Sequence, residues 1–440
     1  MAQPTQARAP RTAAPIPADT TAEPTVRRDP RVNAATQRGP VDRPALTRLT
    51  DLSRADFAPY WGERPLLTRH DGTFADLFSA DAVDELVAEH GLRTPFARMA
   101  AQGSVLPPSQ FTASGGVGAE IGDQLDSAKI LEQFANGATL VLQGLHRTWA
   151  PISEFTRSLV ADLGHPAQVN AYITPDAARG FDPHYDTHDV FVIQIAGAKR
   201  WTIHEPVLRH PLGSQPWSDH REDVATRARE EPAIDAVFEP GDVLYLPRGW
   251  LHSAVAQGGT SIHLTIGVRA TTRHDLLQKI LTRAGESEAL RAPLALGIDY
   301  TDPSSMAEDL HVTAEVTKSL LEALDATGVT PLMQADFIQA TRPEPVRPLR
   351  TVELLSDLPP GLSIAWREQL VADIVADAKT LSIRLREKTV SLPVEAENAV
   401  RALFSSAQRA GSLPELDAES SLVVARRLLR EGIVVPSEGR

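Results

Sequence analysis

Between Val169 and Gly267 the chain breaks into short apolar runs separated by glycine and proline turns, and no other stretch restricts the fold as much. The clearest are Val190-Phe191-Val192-Ile193-Gln194-Ile195, Arg200-Trp201-Thr202-Ile203, Val243-Leu244-Tyr245-Leu246 and the run holding Ile262, Leu264 and Ile266. Several short strands with turns between them predict a sheet sandwich or barrel. In Ser261-Ile262-His263-Leu264-Thr265-Ile266 polar and aliphatic residues alternate. If Ile262, Leu264 and Ile266 pack on an outer layer, Ser261, His263 and Thr265 line an interior pocket.

Ahead of the first run stands Asp182-Pro183-His184-Tyr185-Asp186-Thr187-His188-Asp189. On an extended segment His184 and Asp186 project from one face, so an imidazole and a carboxylate reach a common ion without distorting the backbone. A second histidine arrives 66 residues after Asp186, in Gly241-Asp242-Val243-Leu244-Tyr245-Leu246-Pro247-Arg248-Gly249-Trp250-Leu251-His252. Here one turn precedes an apolar strand and a second turn delivers His252. The chain has no cysteine, which removes disulfides, iron–sulfur clusters and thiolate chemistry, so any metal sits on nitrogen and oxygen. Two histidines and one carboxylate form the facial triad of non-haem iron(II) oxygenases, with three adjacent positions open. Zinc accepts the same ligands in hydrolases, and the ligand set alone does not separate the two. His188 shares parity with His184 and Asp186; a hydrogen-bonding or substrate-facing role is expected of it rather than metal ligation.

With these motifs the sequence resembles the JmjC-type oxygenases of the cupin-4 group, which includes ribosomal oxygenases. The resemblance also rests on Tyr60-Trp61-Gly62-Glu63-Arg64-Pro65-Leu66-Leu67, Asn136-Gly137-Ala138-Thr139-Leu140, Pro183 to Gln194 and Gly197-x-Lys199-Arg200-Trp201. It implies a mixed α/β architecture: a double-stranded β-helix (cupin/JmjC jelly roll) catalytic domain over 46–270, a helical dimerisation region over 271–345 and a winged-helix domain over 346–440. It implies iron(II) held by His184, Asp186 and His252, with 2-oxoglutarate and O2 as cosubstrates. Lys199, fifteen positions beyond the first ligand, is implied as partner of the distal carboxylate of 2-oxoglutarate, desolvated by Arg200, Trp201 and the apolar strand. A surface turn residue is the alternative for Lys199. Asn170 and Tyr172 are expected near the cosubstrate together with Thr265, and His188, Ser261 and His263 in the substrate pocket. The expected reaction is hydroxylation of a protein side chain, an arginine or histidine of a ribosomal protein, by a homodimer. A small-molecule or natural-product hydroxylase, a metal-binding cupin hydrolase or isomerase, and a non-catalytic scaffold remain alternatives.

Residues 1–45, rich in Pro, Ala, Thr and Arg without apolar periodicity, are expected to be a disordered tail. Helices are predicted over Phe74 to His90, Ala128 to Asn136, Ile152 to Leu163, His274 to Ala284 and Ala307 to Asp325, the last with a stripe through Val312, Val316, Leu320 and Leu324. Pro206 to Glu239, with His210, His220, Arg221, Arg227, Arg229, Glu230 and Glu231, reads as a long polar loop, either a rim over the pocket or an ordinary insertion. In the last 90 residues, Leu381 to Leu385 alternates like a strand, Val394 to Gln408 reads as a helix, and Asp417 caps another from Ala418 to Arg430. The formal charge of −13, and the acids in or beside both C-terminal helices, argue against direct nucleic-acid binding. No apolar stretch is long enough to span a membrane, and a cytoplasmic protein is expected.

Overall fold

The structure, a computed structural model, describes residues 26–27, 44–101, 103–118, 120–176, 182–323 and 325–437. Phe181, Leu324 and most of the expected tail lie outside them. Strand β1 (Val26–Arg27) runs parallel to β2 (Leu66–Arg69), after helices α1 (Ala45–Thr50) and α2 (Arg54–Phe57). Helix α3 (Ala80–Ala88) follows, then β3 (Ala97–Ala101), β4 (Ser104–Val105) and the small pair β5 (Thr112–Ala113) and β6 (Gln124–Leu125). Helix α4 (Ser127–Ala135), β7 (Thr139–Leu142), α5 (Leu145–Thr148) and α6 (Ala150–Leu163) lead into the segment of short runs. There lie β8 (Ala167–Thr174), β9 (Asp189–Ala196), β10 (Lys199–His204), α7 (Arg221–Arg227), β11 (Ile234–Phe238), β12 (Asp242–Leu246), β13 (Leu251–Ala256) and β14 (Ser261–Val268).

These strands form two sheets, one of nine strands in the order β1-β2-β12-β9-β14-β8-β7-β3-β4 and one of three, β11-β10-β13. Alternation along each strand builds two apolar layers. Phe191, Ile193, Ile262, Leu264 and Ile266 face outward and pack with α1, α3 and α6. Val190, Val192 and Leu244 face inward against Trp201, Ile203, Ile234 and Phe238 of the small sheet.

Two local expectations change, and one helix appears that the sequence pattern does not predict. The helix predicted from Phe74 begins only at Ala80, because the Ser79 hydroxyl accepts the Ala82 amide and fixes the start there; Phe74, Leu77 and Phe78 are buried in the preceding turns. Pro206 to Glu239 is not one loop: it holds α7 and the strand β11, which pairs antiparallel with β10 from Ile203↔Ile234 to Lys199↔Phe238. Beyond the predicted helix, here α10 (Ala307–Ala323), runs a further helix, Ala326–Ala340, despite Gly328 and Pro331.

After β14 come α8 (Arg273–Ala284), started by a reciprocal Thr272–Asp275 capping box, α9 (Glu288–Arg291), α10, α11 (Ala326–Ala340) and α12 (Pro348–Ser356). The C-terminal module has its own core. Two three-stranded sheets, β19-β15-β20 and β16-β17-β18, pack with α13 (Glu397–Ser405) and α14 (Ala418–Arg430) around Ile364, Leu381, Ile383, Val400, Leu403 and Leu428. Its strands are β15 (Ser363–Trp366), β16 (Asp373–Ala376), β17 (Thr380–Arg384), β18 (Thr389–Pro393), β19 (Gln408–Arg409) and β20 (Val434–Pro436). Asp417 accepts the Ser420 amide at 2.7 Å and starts α14 where its pattern requires.

Candidate metal centre and adjoining pocket

The segment before β9 and the start of β13 meet at an isolated antiparallel bridge between His184 and His252. The two residues exchange both backbone hydrogen bonds, His184 N–H to the His252 carbonyl at 3.2 Å and His252 N–H to the His184 carbonyl at 2.8 Å. Their rings therefore emerge side by side, with centroids 4.4 Å apart. The turn that brings His252 there depends on Gly249, whose φ is +88° and where a Cβ would lie 2.5 Å from the Leu208 carbonyl oxygen. Its amide also donates to the Asp186 carbonyl, tying this turn to the third residue of the group.

Ligating atoms of His184, Asp186 and His252 all lie within 4.8 Å of one another. Each histidine has its Nδ1 near a backbone carbonyl, that of Asp182 at 2.8 Å for His184 and that of Trp250 at 3.3 Å for His252. A carbonyl only accepts, so each Nδ1 donates and each Nε2 is the nitrogen turned towards the group. Burial, and then the neighbouring His184 ring, pushes the His252 imidazole down to about 4 even though Asp186 pulls the other way. A neutral imidazole is the form a metal needs.

Beside this group opens a cavity of about 330 Å³, lined among others by Arg98, Tyr172, Thr174, Lys199, Trp201, Trp217, His263 and Thr265. Lys199 is 3% exposed, and its Nζ donates to the Thr174 hydroxyl at 3.2 Å. Burial alone drives its ammonium down to about 8. A buried cation with a neutral partner leaves a place for an anion. His263 stacks on Tyr172, ring centroids 4.9 Å apart, and its Nδ1 and the Trp201 Nε1 are buried without hydrogen-bond partners. Both residues line the cavity together with Lys199.

The structure thus brings together His184, Asp186, His252, Lys199, Tyr172, Thr265 and His263, and separates the remaining expected site residues. Arg200 does not desolvate Lys199: it faces the opposite side of β10 and forms a bidentate pair with Asp235. Lys199 is instead buried among Trp201 and other inward residues, not on a surface turn. Asn170, although on the same face of β8 as Tyr172, turns to accept the Gly144 amide at 3.1 Å and lines a neighbouring cavity. His188 lines that neighbouring cavity too, pressed against Gly267, and is absent from the metal group. Ser261 is fully buried beyond the pocket floor, hydrogen-bonded to the Gln194 side chain. A bulge between Ile262 and His263 in the pairing with β9 marks where Ser261 parts from the pocket-facing His263. Sequence reasoning missed Arg98 and Thr174 from neighbouring strands and Trp217 from the inserted segment. For Thr174 the signal was present: it shares a strand face with Tyr172.

Residues 148–276 match the sequence profile of the JmjC domain. The chain is 35% identical over 165 residues to the Drosophila erecta bifunctional lysine-specific demethylase and histidyl-hydroxylase NO66, covering 37% of this chain and 23% of that protein. It is 38% identical over 138 residues to ribosomal oxygenase 1 of Rattus norvegicus, covering 30% of this chain and 22% of the relative. These matches therefore span under a quarter of either relative's length. Among solved structures the chain is similar to the Escherichia coli ribosomal oxygenase YcfD, 21% identical with a TM-score of 0.48 over 88% of this chain and 98% of that one. A structure of YcfD with cobalt and 2-oxoglutarate gives 20% identity and a TM-score of 0.49, over 88% and 99%.

Proposed function

We propose that this chain, which carries a JmjC domain, is a 2-oxoglutarate-dependent iron(II) oxygenase that hydroxylates a protein side chain. The observation that carries this reading is the adjacency of His184, Asp186 and His252 to a buried Lys199 that has no acidic partner among the described residues, all on one cavity. The donor set suits iron(II): two imidazoles and one carboxylate, converging from one side. When bound, iron(II) and 2-oxoglutarate activate O2, placing one oxygen atom in succinate as CO2 leaves and the other in a substrate C–H bond.

The chain's own part is ligation, orientation and exclusion of water. His184 and His252 present Nε2, and their carbonyl-bound Nδ1 atoms fix both ring orientations. Lys199 meets the distal carboxylate of the 2-oxo acid, with Thr174, Tyr172 and Thr265 around it. Val190, Val192 and Trp201 keep that end of the pocket dry.

For the substrate we infer an arginine or histidine of a ribosomal protein, following the names of the relatives, and hence a cytoplasmic site of action. An acidic chain, at −13, suits a basic partner. The described residues hold no helix long and apolar enough to cross a membrane. We further propose a homodimer joined through 271–345, supported by Leu276, Leu277, Leu281, Leu310 and Val312 standing exposed on α8 and α10. The C-terminal module is read as a winged helix serving protein contact.

Iron-loaded protein incubated with 2-oxoglutarate and host ribosomes, with peptide mass spectrometry against His184→Ala, tests the reading. A triad-dependent added oxygen on a ribosomal protein supports it. Turnover only with a metabolite extract would reject the ribosomal substrate, and no coupled succinate release with either would reject the oxygenase.

A further inference from the structure

Beyond the wall formed by β8, β14 and the 184–188 segment lies a second cavity of about 840 Å³, and a smaller one of about 200 Å³ shares His146 and Arg147 with it. Both are basic in a chain whose net charge is −13. The smaller is lined by Arg147, Arg157 and Arg342 and by no acidic side chain. The larger has Arg147, Arg248 and Arg269 against one acid, Asp275, which is engaged by the amide and hydroxyl of Thr272. Arg248 is held by Asp189 and Arg157 by Glu368. Among the described residues, no carboxylate forms an ion pair with Arg147 or Arg342.

The ring of His146 sets the chemistry of the junction. Its Nδ1 lies 3.2 Å from the amide of Val169, a buried residue two positions beyond Ala171, where the β7–β8 pairing ends. A buried amide needs its acceptor, so Nδ1 accepts. A neutral imidazole carries one proton, which then sits on Nε2. That Nε2 is 3.3 Å from Nε of Arg147, itself a donor. In that tautomer the Arg147 Nε–H, which points at Nε2, meets a second N–H rather than an acceptor, at an exposed contact that an external acceptor can reach. Protonation does not relieve this: burial, then Arg147 and Arg342, pushes the His146 imidazole down to about 4.

We propose that this junction binds an oxyanion of the phosphate class, which accepts from His146 Nε2–H and from the guanidinium groups of Arg147 and Arg342. A tetrahedral oxyanion supplies several acceptor oxygens at once and neutralises two unpaired cations. The adjoining larger cavity has room for the remainder of a phosphorylated small molecule. The inference rests on no metal and stands apart from the oxygenase reading.

Calorimetric titration of the full-length, metal-free protein tests it, using inorganic phosphate in one arm and a mononucleotide in the other, each against chloride at equal ionic strength. Saturable binding of either, weakened on the order of tenfold or more in Arg147→Gln, is expected. Tighter binding of the mononucleotide identifies a phosphorylated small molecule as the ligand; equal or weaker binding identifies free phosphate. Arg147 is exposed, so its variant should fold, and circular dichroism checks this; Arg342→Gln provides a second, independent variant. Absence of saturable binding in both arms, or affinity unchanged in both variants, overturns the proposal.

Discussion

Replacing Lys199 by Met should move stability and cosubstrate affinity in opposite directions. In the ligand-free protein the ammonium is buried beside a neutral hydroxyl, and its pKa falls from 10.5 to about 8. The folded value is below the unfolded one, so at pH 7 folding bears the full cost of burying the charge, about 3 kcal/mol. That cost is relieved as pH rises from about 8 towards 10.5, because over this window the unfolded chain binds more protons than the folded one. Methionine keeps the length of the side chain and removes the charge. After subtracting about 1 kcal/mol for the lost hydrogen bond to Thr174, Lys199→Met should be about 2 kcal/mol more stable at pH 7. The advantage should shrink between pH 8 and 10. The same change removes a charge-assisted contact to the cosubstrate and should raise the half-saturating 2-oxoglutarate roughly tenfold to a hundredfold, with iron affinity little altered. Urea unfolding of metal-free protein at pH 7 and pH 9.5, together with cosubstrate titration of iron-loaded protein, measures both. A variant less stable at pH 7, with its 2-oxoglutarate requirement unchanged, would refute both the burial argument and the place given to Lys199.

His184→Ala, Asp186→Ala and His252→Ala should each lose stoichiometric iron and turnover while remaining folded; normal turnover of His252→Ala with one bound iron would contradict the ligand assignment. His188→Ala should retain its iron, since that ring faces the neighbouring cavity, and metal analysis of the purified variant decides this. A Cβ at position 267 would come within 2.7 Å of the His188 ring, so Gly267→Ala should cost about 1–3 kcal/mol in denaturant unfolding. An unaltered midpoint would mean that the ring moves aside freely. Light scattering should give about twice the 47.7 kDa chain mass, falling towards one chain in Leu277→Glu/Leu281→Glu; a monomer in the unaltered protein would remove the dimer proposal.

The sandwich and the pairing of His184 with Asp186 were legible in the sequence for the same reason: alternation along extended segments is enforced by the pleat, and that rule also places His263 with Thr265, whereas His252 was legible through the turn motif ahead of it. It also reports the side of the sheet without reporting the neighbour at that point. Asn170 and Tyr172 share a face, yet Gly144 draws Asn170 away; Ser261 and His263 share a face until a bulge separates them. Arg200 is adjacent to Lys199 along the strand but not beside it in space, because consecutive side chains point to opposite sides. Strand β11 escaped notice inside a polar stretch, where its Asp235 serves Arg200 and only Ile234 and Phe238 are buried. Helix α11 was hidden by Gly328 and Pro331, residues that ordinarily end such patterns.

Asp189 is fully buried and receives three donors on two carboxylate oxygens, the Tyr245 hydroxyl, the Arg248 amide and the Arg248 guanidinium; the Tyr245 oxygen in turn accepts the Gly62 amide. The span matched to the JmjC profile starts inside α5, far downstream of Gly62, so the folding unit and the recognisable unit have different edges. Cutting the chain to 148–276 would strip β2 from β12 and β7 from β8, leaving two unpaired strand borders open to other chains. It would also deprive the Tyr245 oxygen of its amide donor. Shortened versions of this protein should therefore aggregate before they lose recognisable sequence, and a minimal soluble unit has to begin upstream of Trp61.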